Sequence, residues 1–437
     1  MQGVRRTPRS ATGRAVVIGG SMAGLFAALL LRREGWDVRV NERIGGGLAG
    51  RGAGIVTHPE LFDVLERAGV DRDAALLGVA VAGRRVFDRD GRLVGERPQR
   101  QVLTSWGHLY ALLRRELPDA AYRPGRALVR VTETAGGVAA AFEDGSVEEG
   151  DLLVGADGIF SAVRAQFLPE AAPTYAGYVA WRGLVAEAGL SPETRAALCG
   201  HFAFSLPEGE QMLGYPVAGA EDSLAPGSRR YNFVWYRPAD RDGALRRLLT
   251  DVDGVAHPLS IPPNCIRTEV VAAMKRDARA KLAPQFAEVV ERTAEPFLQA
   301  IQDFETPRMA LGGRVALIGD AAFVARPHVG AGVTKAAADA LALAEALTAE
   351  GDVPAALARF EAERLAVGRA IVARARHLGA YMQAQISSTE ERRAATAHRS
   401  PAAVMSETAS MAFLTEAAAA RNATQIANPY AVHGRTL

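Results

Sequence analysis

Cysteine and lysine are both scarce in this sequence, and the shortage of cysteine excludes several kinds of site. Its two cysteines, Cys199 and Cys265, are too few for a disulfide framework or a metal cluster. We therefore expect a protein of the reducing cytoplasm that holds no metal. Lysine occurs at only three positions, so nearly all of the positive charge is arginine. The net charge of +2 argues against a nucleic-acid partner.

Long apolar runs are missing as well. The uncharged stretch Ala15–Leu31 lies between Arg14 and Arg32 and contains a Gly-rich segment that weakens it as an apolar helix. Its length is at the lower limit for a membrane span, and no small-residue cleavage site follows it. The sequence therefore disfavours a signal peptide or a membrane span, and we expect no membrane partner.

The same stretch has the pattern of a nucleotide-binding βαβ unit. Residues 15–18 suit a buried parallel strand, residues 25–31 suit a helix, and residues 38–41 predict a second strand that ends at Glu42. Between the first strand and the helix lies Gly19-Gly20-Ser21-Met22-Ala23-Gly24, with Ser21 where the second glycine of G-x-G-x-x-G is usual. Small residues there let a pyrophosphate approach the N–H groups of the helix N-terminus. Glu42, eighteen residues after Gly24, suits a carboxylate that accepts hydrogen bonds from a ribose.

Two later segments have a related strand-to-turn pattern. Residues 151–164 contain Asp157-Gly158, and residues 314–335 contain Gly319-Asp320 followed by glycines that open an Ala-rich helix. A helix N-terminus of this kind suits the N1 and C2 carbonyl edge of a reduced flavin. A structural turn is the alternative for Asp157-Gly158, and a simple helix cap is the alternative for each late feature. Taken together with the first segment, the two later segments predict one FAD site.

The arrangement of these patterns predicts an α/β fold class. We expect a Rossmann-like FAD-binding domain of the GR2 type, interleaved with a sheet-built substrate domain and followed by C-terminal helices. The FAD-binding domain is assigned residues 14–75, 106–168 and 305–386, and the substrate domain residues 76–105 and 169–304. Residues 1–13 are expected to be a disordered extension and residues 387–437 a partly disordered one.

The three segments resemble those of the class A flavoprotein aromatic hydroxylases, which act as single components. Finer features at residues 52–56, 175–183, 231–236 and 325–328 are most similar to the 2,6-dihydroxypyridine 3-hydroxylase group. Departures from the broad family pattern occur at Ser21, Trp106, Phe323, Ala331 and Thr334.

This resemblance implies an enzyme that uses NAD(P)H and O2 to hydroxylate an electron-rich aromatic ring of the hydroxypyridine or phenol type. The implied route passes through a C4a-hydroperoxyflavin, with FAD bound tightly and non-covalently. NAD(P)H is expected to be a transient co-substrate, because the sequence has no second Rossmann unit. Another FAD oxidoreductase, such as a dehydrogenase or reductase, and a non-enzymatic binder of the same fold remain alternatives. The assembly considered is a homodimer.

The resemblance also assigns roles to individual residues. FAD contacts are assigned to Gly19, Gly20, Ser21, Met22, Ala23, Gly24, Glu42, Arg43, Gly54, Leu128, Asp157, Asp320, Gly330, Ala331, Gly332 and Val333. The substrate pocket is assigned Trp181, Arg182, Tyr215, Phe233, Trp235 and Pro327. Core packing is the alternative for the aromatic residues and for Leu128, and a surface position is the alternative for Arg182.

A catalytic base is sought near the flavin, because a hydroxylated ring attacks a peroxide best as its anion. His328 lies inside a flavin-facing motif, between Pro327 and the glycines that open the helix. A group that titrates near neutrality would suit this role, and a helix N-terminus would favour the neutral imidazole, which can accept a proton. We therefore predict His328 as the catalytic base and Tyr215 as the next candidate.

Overall fold

A computed structural model describes residues 12–46, 48, 54–70, 77–384 and 389–414 of the chain. Its strands are β1 (Arg14–Ile18), β2 (Asp37–Glu42), β3 (Gly54–Val56), β4 (Val79–Phe87), β5 (Leu93–Ser105), β6 (Tyr122–Pro124), β7 (Leu128–Glu133), β8 (Val138–Phe142), β9 (Val147–Gly150), β10 (Leu152–Gly155), β11 (Thr174–Ala186), β12 (His201–Ser205), β13 (Gln211–Val217), β14 (Arg230–Pro238), β15 (Ser260–Ile261), β16 (Phe297–Glu305), β17 (Ala310–Leu311), β18 (Val315–Leu317) and β19 (Phe323–Val324). Its α-helices are α1 (Met22–Arg33), α2 (Pro59–Ala68), α3 (Trp106–Glu116), α4 (Ala162–Phe167), α5 (Pro192–Leu198), α6 (Arg246–Leu248), α7 (Thr268–Lys281), α8 (Pro284–Arg292), α9 (Gly332–Glu350), α10 (Val353–Gly379), α11 (Thr389–Ala397) and α12 (Pro401–Glu407).

A six-stranded sheet has the order β17-β18-β10-β1-β2-β6 and is parallel except for β17. Strand β1 lies at its centre, with Val16 opposite Leu153 of β10 on one side and Arg39 of β2 on the other. Helices α1 and α9 pack against each other on this sheet, and nearly every side chain of α1 is buried. A central parallel strand that leads into a buried helix is the predicted Rossmann-like unit, and the α/β fold class is confirmed.

A larger sheet has the order β15-β16-β11-β14-β13-β12-β4-β5-β3, with β19 attached to β16. Its pairs are antiparallel apart from β12 with β4. The short strand β3 pairs with β5, so Gly54 belongs to this sheet although it falls in a range assigned to the FAD-binding domain. A separate three-stranded meander, β7-β8-β9, lies between β6 and β10 in the sequence.

The larger sheet presents different residues on its two faces, because successive side chains of a strand alternate. Trp181 on β11 lies directly opposite Trp235 on β14, and both side chains pack in a core with Phe286 of helix α8. Arg182 and Tyr236, the next residues along, therefore point to the other face. That face meets the parallel sheet at the candidate site.

The chain continues past helix α10 into two further helices. Helix α12 packs on strands β4 and β5, and the residues after it reach the candidate site. The extension predicted to be partly disordered contains two helices, α11 and α12. The disorder predicted for residues 1–11 and 415–437 lies outside the described residues. No helix in the described part of the chain is both long and apolar enough to cross a membrane.

Candidate flavin and substrate site

The three segments predicted from the sequence meet at the start of helix α1. Gly19 has a φ of +104°, and a Cβ atom added there would lie 2.4 Å from the carbonyl oxygen of Ala156. On the other side of the turn, a Cβ added at Gly319 would lie 2.8 Å from the Cβ of Ala23. The first segment is therefore in contact with both later segments, as the single-site hypothesis requires.

The glycines of the first segment leave no room for side chains. A Cβ at Gly20 would lie 2.3 Å from the Tyr122 hydroxyl, and one at Gly24 would lie 1.8 Å from the Gly19 carbonyl oxygen. Gly24 thus permits the close packing of helix α1 on its strand, as predicted. The first turn of α1 has no acidic residue, and its cap residue Ser21 makes no side-chain hydrogen bond to it. The N–H groups at this helix start suit a pyrophosphate.

Glu42 ends strand β2 beside this turn, and its carboxylate is buried. The Gly20 N–H donates to Oε2 over 2.8 Å and the Ile44 N–H donates to Oε1 over 2.9 Å. The carboxylate therefore has a fixed orientation, and each oxygen keeps a lone pair for a further donor such as a ribose hydroxyl.

A cavity of about 500 Å³ opens next to Glu42. Its lining residues are Ile18, Gly19, Ser21, Asn41, Glu42, Arg43, Ile44, Leu48, Trp106, Arg126, Ala127, Leu128, Glu143, Ala156, Asp157, Gly158, Phe160 and Ala162. Arg43 and Leu128, both predicted to contact the adenosine, lie in this lining. The cavity has the polar and apolar walls that a nucleoside needs.

Asp157 also lines this cavity, but its carboxylate is engaged by the protein. It accepts hydrogen bonds from the N–H groups of Ala162 (2.7 Å) and Val163 (3.2 Å) at the start of helix α4. Burial raises the pKa of this carboxyl, and these hydrogen bonds oppose the rise. Nearby, Arg164 donates to the Ala321 carbonyl over 2.9 Å, which ties the middle segment to the late one. The Asp157 contacts use Oδ2 and fit the alternative of a structural turn, whereas Oδ1 has no hydrogen-bond partner among the described residues, and the FAD contact predicted for Asp157 stays a prediction.

A second cavity of about 200 Å³ lies between the late segment and the larger sheet. It is lined by Gly54, Ile55, Val56, Arg182, Phe202, Leu213, Tyr215, Val234, Tyr236, Asp320, Ala325, Arg326, Pro327, His328, Gly330, Ala331, Gly332, Val333, Thr408 and Ala409. The predicted flavin-facing loop and the predicted pocket residues Arg182, Tyr215 and Pro327 are thereby brought together. We call this space the flavin-facing cavity.

A charge cluster supports the loop at Asp320, whose side chain is half exposed where it lines the cavity. The Lys335 ammonium lies 3.9 Å from both Asp320 and Asp339, is fully buried, and has no hydrogen-bond partner among the described residues. Asp339 in turn pairs with Arg364 over 2.9 Å and accepts the Gly319 N–H over 3.1 Å. The cluster fixes the loop that was predicted to hold the ribityl chain.

His328 is buried and has partners at both ring nitrogens. Nε2 lies 2.8 Å from the Tyr178 hydroxyl, and Nδ1 lies 3.2 Å from Oε1 of Gln211. An amide oxygen only accepts, so this arrangement assigns the ring proton to Nδ1 and the Tyr178 hydroxyl donates to Nε2. Burial, together with the nearby Arg326 and Arg182, lowers the pKa of His328 to about 3. The ring is neutral, as expected, but it does not titrate near neutrality.

Three residues predicted for the substrate pocket are absent from the cavity lining. Trp181, Phe233 and Trp235 pack in the core on the opposite face of the larger sheet. A shift of one residue along a strand changes the face on which a side chain lies. The prediction was wrong for these three residues, and core packing, the alternative considered, describes them.

Several lining residues were missed by the sequence reasoning. Among them are Phe202, Leu213, Val234 and Tyr236, which lie on β12, β13 and β14. Strand alternation was the available signal: with Tyr215 on the cavity face, Leu213 has to share that face. The charge of Arg182 also reaches across the cavity, since it opposes the burial that raises the pKa of Tyr215 and Tyr236.

The residues present fit an FAD molecule. A buried carboxylate and a nucleoside-sized cavity lie at one end, and a glycine-rich turn at a helix N-terminus lies in the middle. At the other end, the Asp320 carboxylate and the glycine loop line a cavity with aromatic walls. Such an order matches adenosine, pyrophosphate, ribityl chain and flavin ring, so fold and site define a dinucleotide-binding flavoprotein.

Comparison with known proteins agrees with this class. Profiles described as "FAD binding domain-like" and "FAD binding domain" match residues 175–303 and 263–375. The 2,6-dihydroxypyridine 3-monooxygenase of Paenarthrobacter nicotinovorans is 34% identical over 85% of this chain and 92% of its own length. The solved 2,6-dihydroxypyridine-3-hydroxylase of Arthrobacter nicotinovorans has a TM-score of 0.80 at 32% identity, over 88% of this chain and 96% of its own. A single-residue variant of HpxO from Klebsiella pneumoniae, solved with FAD, has a TM-score of 0.72 at 25% identity, over 90% of this chain and 95% of its own.

This chain belongs to the class A FAD-dependent aromatic monooxygenases. It is accordingly a flavoprotein monooxygenase, and the non-enzymatic alternative is set aside.

Proposed function

We propose that the protein hydroxylates an electron-rich aromatic ring of the hydroxypyridine or phenol type, with NAD(P)H and O2 as co-substrates. The printed names of its relatives support this class of substrate, since they include 2,6-dihydroxypyridine 3-monooxygenase and 6-hydroxynicotinate 3-monooxygenase. FAD, bound tightly and non-covalently, would supply the redox and oxygen chemistry, with C4a-hydroperoxyflavin as the oxygen donor that the family implies. NAD(P)H would visit and leave, and a homodimer is the proposed assembly.

The observation that carries the proposal is the cation in the flavin-facing cavity. Arg182 lies on β11 among aromatic side chains, and its Nε is buried without a hydrogen-bond partner. The guanidinium makes no ion pair within the part of the chain that the structure describes. Arg182 as a whole is partly exposed to this aromatic-lined cavity, so its guanidinium is available to bind an anionic ring oxygen.

Arg182 would also prepare the ring for reaction. A nearby positive charge lowers the pKa of a phenolic group, so the ring would bind as its anion, the better nucleophile. Phe202 and Tyr215 lie edge to face, with ring centroids 5.0 Å apart, and would hold the ring by apolar contact while they exclude water.

His328 and Tyr215 remain the proposed catalytic residues, with roles adjusted to their surroundings. His328 would act as a neutral hydrogen-bond relay between Gln211 and Tyr178, since its pKa of about 3 leaves it uncharged. Burial raises the pKa of Tyr215, so its hydroxyl would stay protonated and donate to a ring oxygen.

The test is a panel of hydroxypyridines and phenols offered to the FAD-loaded enzyme with NADH or NADPH. A substrate should accelerate NAD(P)H oxidation and be recovered with one additional oxygen atom, as mass spectrometry would show. Oxidation of the ring without added oxygen would instead support a dehydrogenase. Acceleration with peroxide as the sole product would identify an effector and reject that ring as a substrate.

A further inference from the structure

The segment after helix α11 closes one side of the flavin-facing cavity. We call Ser400–Leu414 the C-terminal segment; it contains helix α12, and it lies beyond residue 375, where the matched FAD-binding profile ends. Thr408 and Ala409 line the cavity and are 4% and 2% exposed. The segment therefore belongs to the site although the profile does not include it.

Ala409 is attached directly to the flavin-facing loop. Its N–H donates to the His328 carbonyl over 2.7 Å. A Cβ added at Gly330 would lie only 3.0 Å from the Ala409 Cβ, so the two backbones are in close contact. Ala409 also has a φ of +52°, a left-handed conformation that a non-glycine residue adopts only where its surroundings impose it.

Arg84 supplies the main attachment of this segment. It lies on β4, is fully buried, and donates to the carbonyl oxygens of Met405 (2.8 Å), Thr408 (2.5 Å) and Ala409 (3.2 Å). Those oxygens belong to the carboxyl end of helix α12, where a positive charge is favourable. The guanidinium also lies 5.4 Å from the centre of the Phe202 ring, which lines the cavity.

The segment has a second cavity on its outer side. This outer groove of about 670 Å³ runs between residues 57–63, residues 99–102 and residues 409–412. Ala409 lines both spaces, so the backbone at Thr408–Ala409 separates the flavin-facing cavity from the groove. Without the segment, the groove and the cavity would join.

We propose that the C-terminal segment is a fixed outer wall of the active site, in which Thr408 and Ala409 determine which ring fits. Arg84 is a positioning residue that holds the wall in place. The choice of ring rests on the proposed function, whereas the shielding of the flavin from solvent follows from the wall alone. The shielding of the flavin and the choice of ring are therefore tested in separate experiments.

The shielding is tested with the FAD-loaded protein and iodide. Iodide quenches flavin fluorescence on contact, so Arg84→Met should increase the quenching constant of the bound flavin severalfold. Arg89→Met, at an exposed position on the turn after the same strand, is the matched control and should leave it unchanged. Should Arg84→Met fail to fold, Arg84→Gln, which keeps a hydrogen-bond donor and loses the charge, replaces it. An unchanged quenching constant in a variant that retains FAD would contradict the proposed wall, and this result does not depend on which substrate the enzyme hydroxylates.

The fit of the ring is tested with Thr408→Phe. The larger side chain should fill the cavity and weaken the binding of 2,6-dihydroxypyridine roughly tenfold, measured from the change in flavin absorbance. Ala402→Phe, on the exposed side of α12, places the same side chain away from the cavity and should bind like the parent. Equal weakening in both variants would reject Thr408 as a specificity residue. If the parent enzyme binds no ring in the panel, the proposed function fails while the iodide result still decides the wall.

Discussion

Replacement of Arg182 by methionine removes the charge that we propose for the ring anion and keeps much of the side-chain volume. A hydrogen bond to a charged group contributes about 1.5–3 kcal/mol, so affinity for an anionic ring should fall by about tenfold to a hundredfold. Neutral rings should lose much less. The flavin content should not change, because Arg182 lies on the sheet side of the flavin-facing cavity.

The assay is a ligand titration followed by flavin absorbance over a range of pH. In the parent enzyme the bound ring should ionise at a lower pH than the free ring, because Arg182 stabilises the anion. With Arg182→Met that difference should disappear. Arg230→Met, at the far end of neighbouring β14, is the matched control. A variant that binds the anion as well as the parent, with the same pH dependence, would refute the role of Arg182.

Three further predictions concern the cofactor and the buried histidine. Glu42→Ala leaves the Gly20 and Ile44 N–H groups without their acceptor and removes the ribose partner, so purified protein should contain less FAD by absorbance; full occupancy would contradict this. Lys335→Met removes the cation beside Asp320 and leaves Asp339 paired with Arg364 alone, so it should lower Tm and make the flavin reduction potential more negative; an unchanged potential would exclude that electrostatic effect. The pKa of His328 falls from 6.5 to about 3 on folding, so the unfolded chain binds more protons between these values and stability should rise with pH there, at about 1.4 kcal/mol per unit at most. His328→Gln should flatten that slope in urea titrations, and a retained slope would assign it to other groups.

The FAD site was readable from the sequence because its information is local. Gly19, Gly20 and Gly24 stand where a strand turns into a helix, and the contacts a Cβ would make at each explain why glycine is needed there. The position of Glu42 could be predicted because one helix and one strand of ordinary length separate it from the glycines. The sequence pattern at these positions lies within one βαβ unit, although the atoms that exclude a side chain at Gly19 and Gly20 belong to the distant residues Ala156 and Tyr122.

The residues of the substrate pocket were harder to predict, because the prediction requires knowing which face of each strand lines the cavity. Trp181 and Arg182 are adjacent on β11, so they cannot both face one cavity, and Arg182 is the one that does. Side chains alternate between the two faces of a strand, and this rule would have assigned Val234 and Tyr236 to the pocket instead of Trp235. The prediction favoured large aromatic residues as ligand contacts and therefore selected residues on the opposite face of the sheet.

The C-terminal wall was beyond sequence reasoning altogether. It depends on Arg84 and Thr408, which are 324 residues apart and carry no shared pattern. The segment was expected to be partly disordered because its composition is rich in small and polar residues. The buried guanidinium and the carbonyl groups that it binds supply an order that composition does not reveal.

The central claim is that the enzyme inserts one atom of O2 into an electron-rich ring, and isotope labelling tests it most directly. The FAD-loaded protein is supplied with NAD(P)H, 2,6-dihydroxypyridine or another ring found in the panel, and ¹⁸O-labelled O2 in unlabelled water. We expect the product to carry one labelled oxygen atom. Product that acquires its oxygen from water would contradict the account.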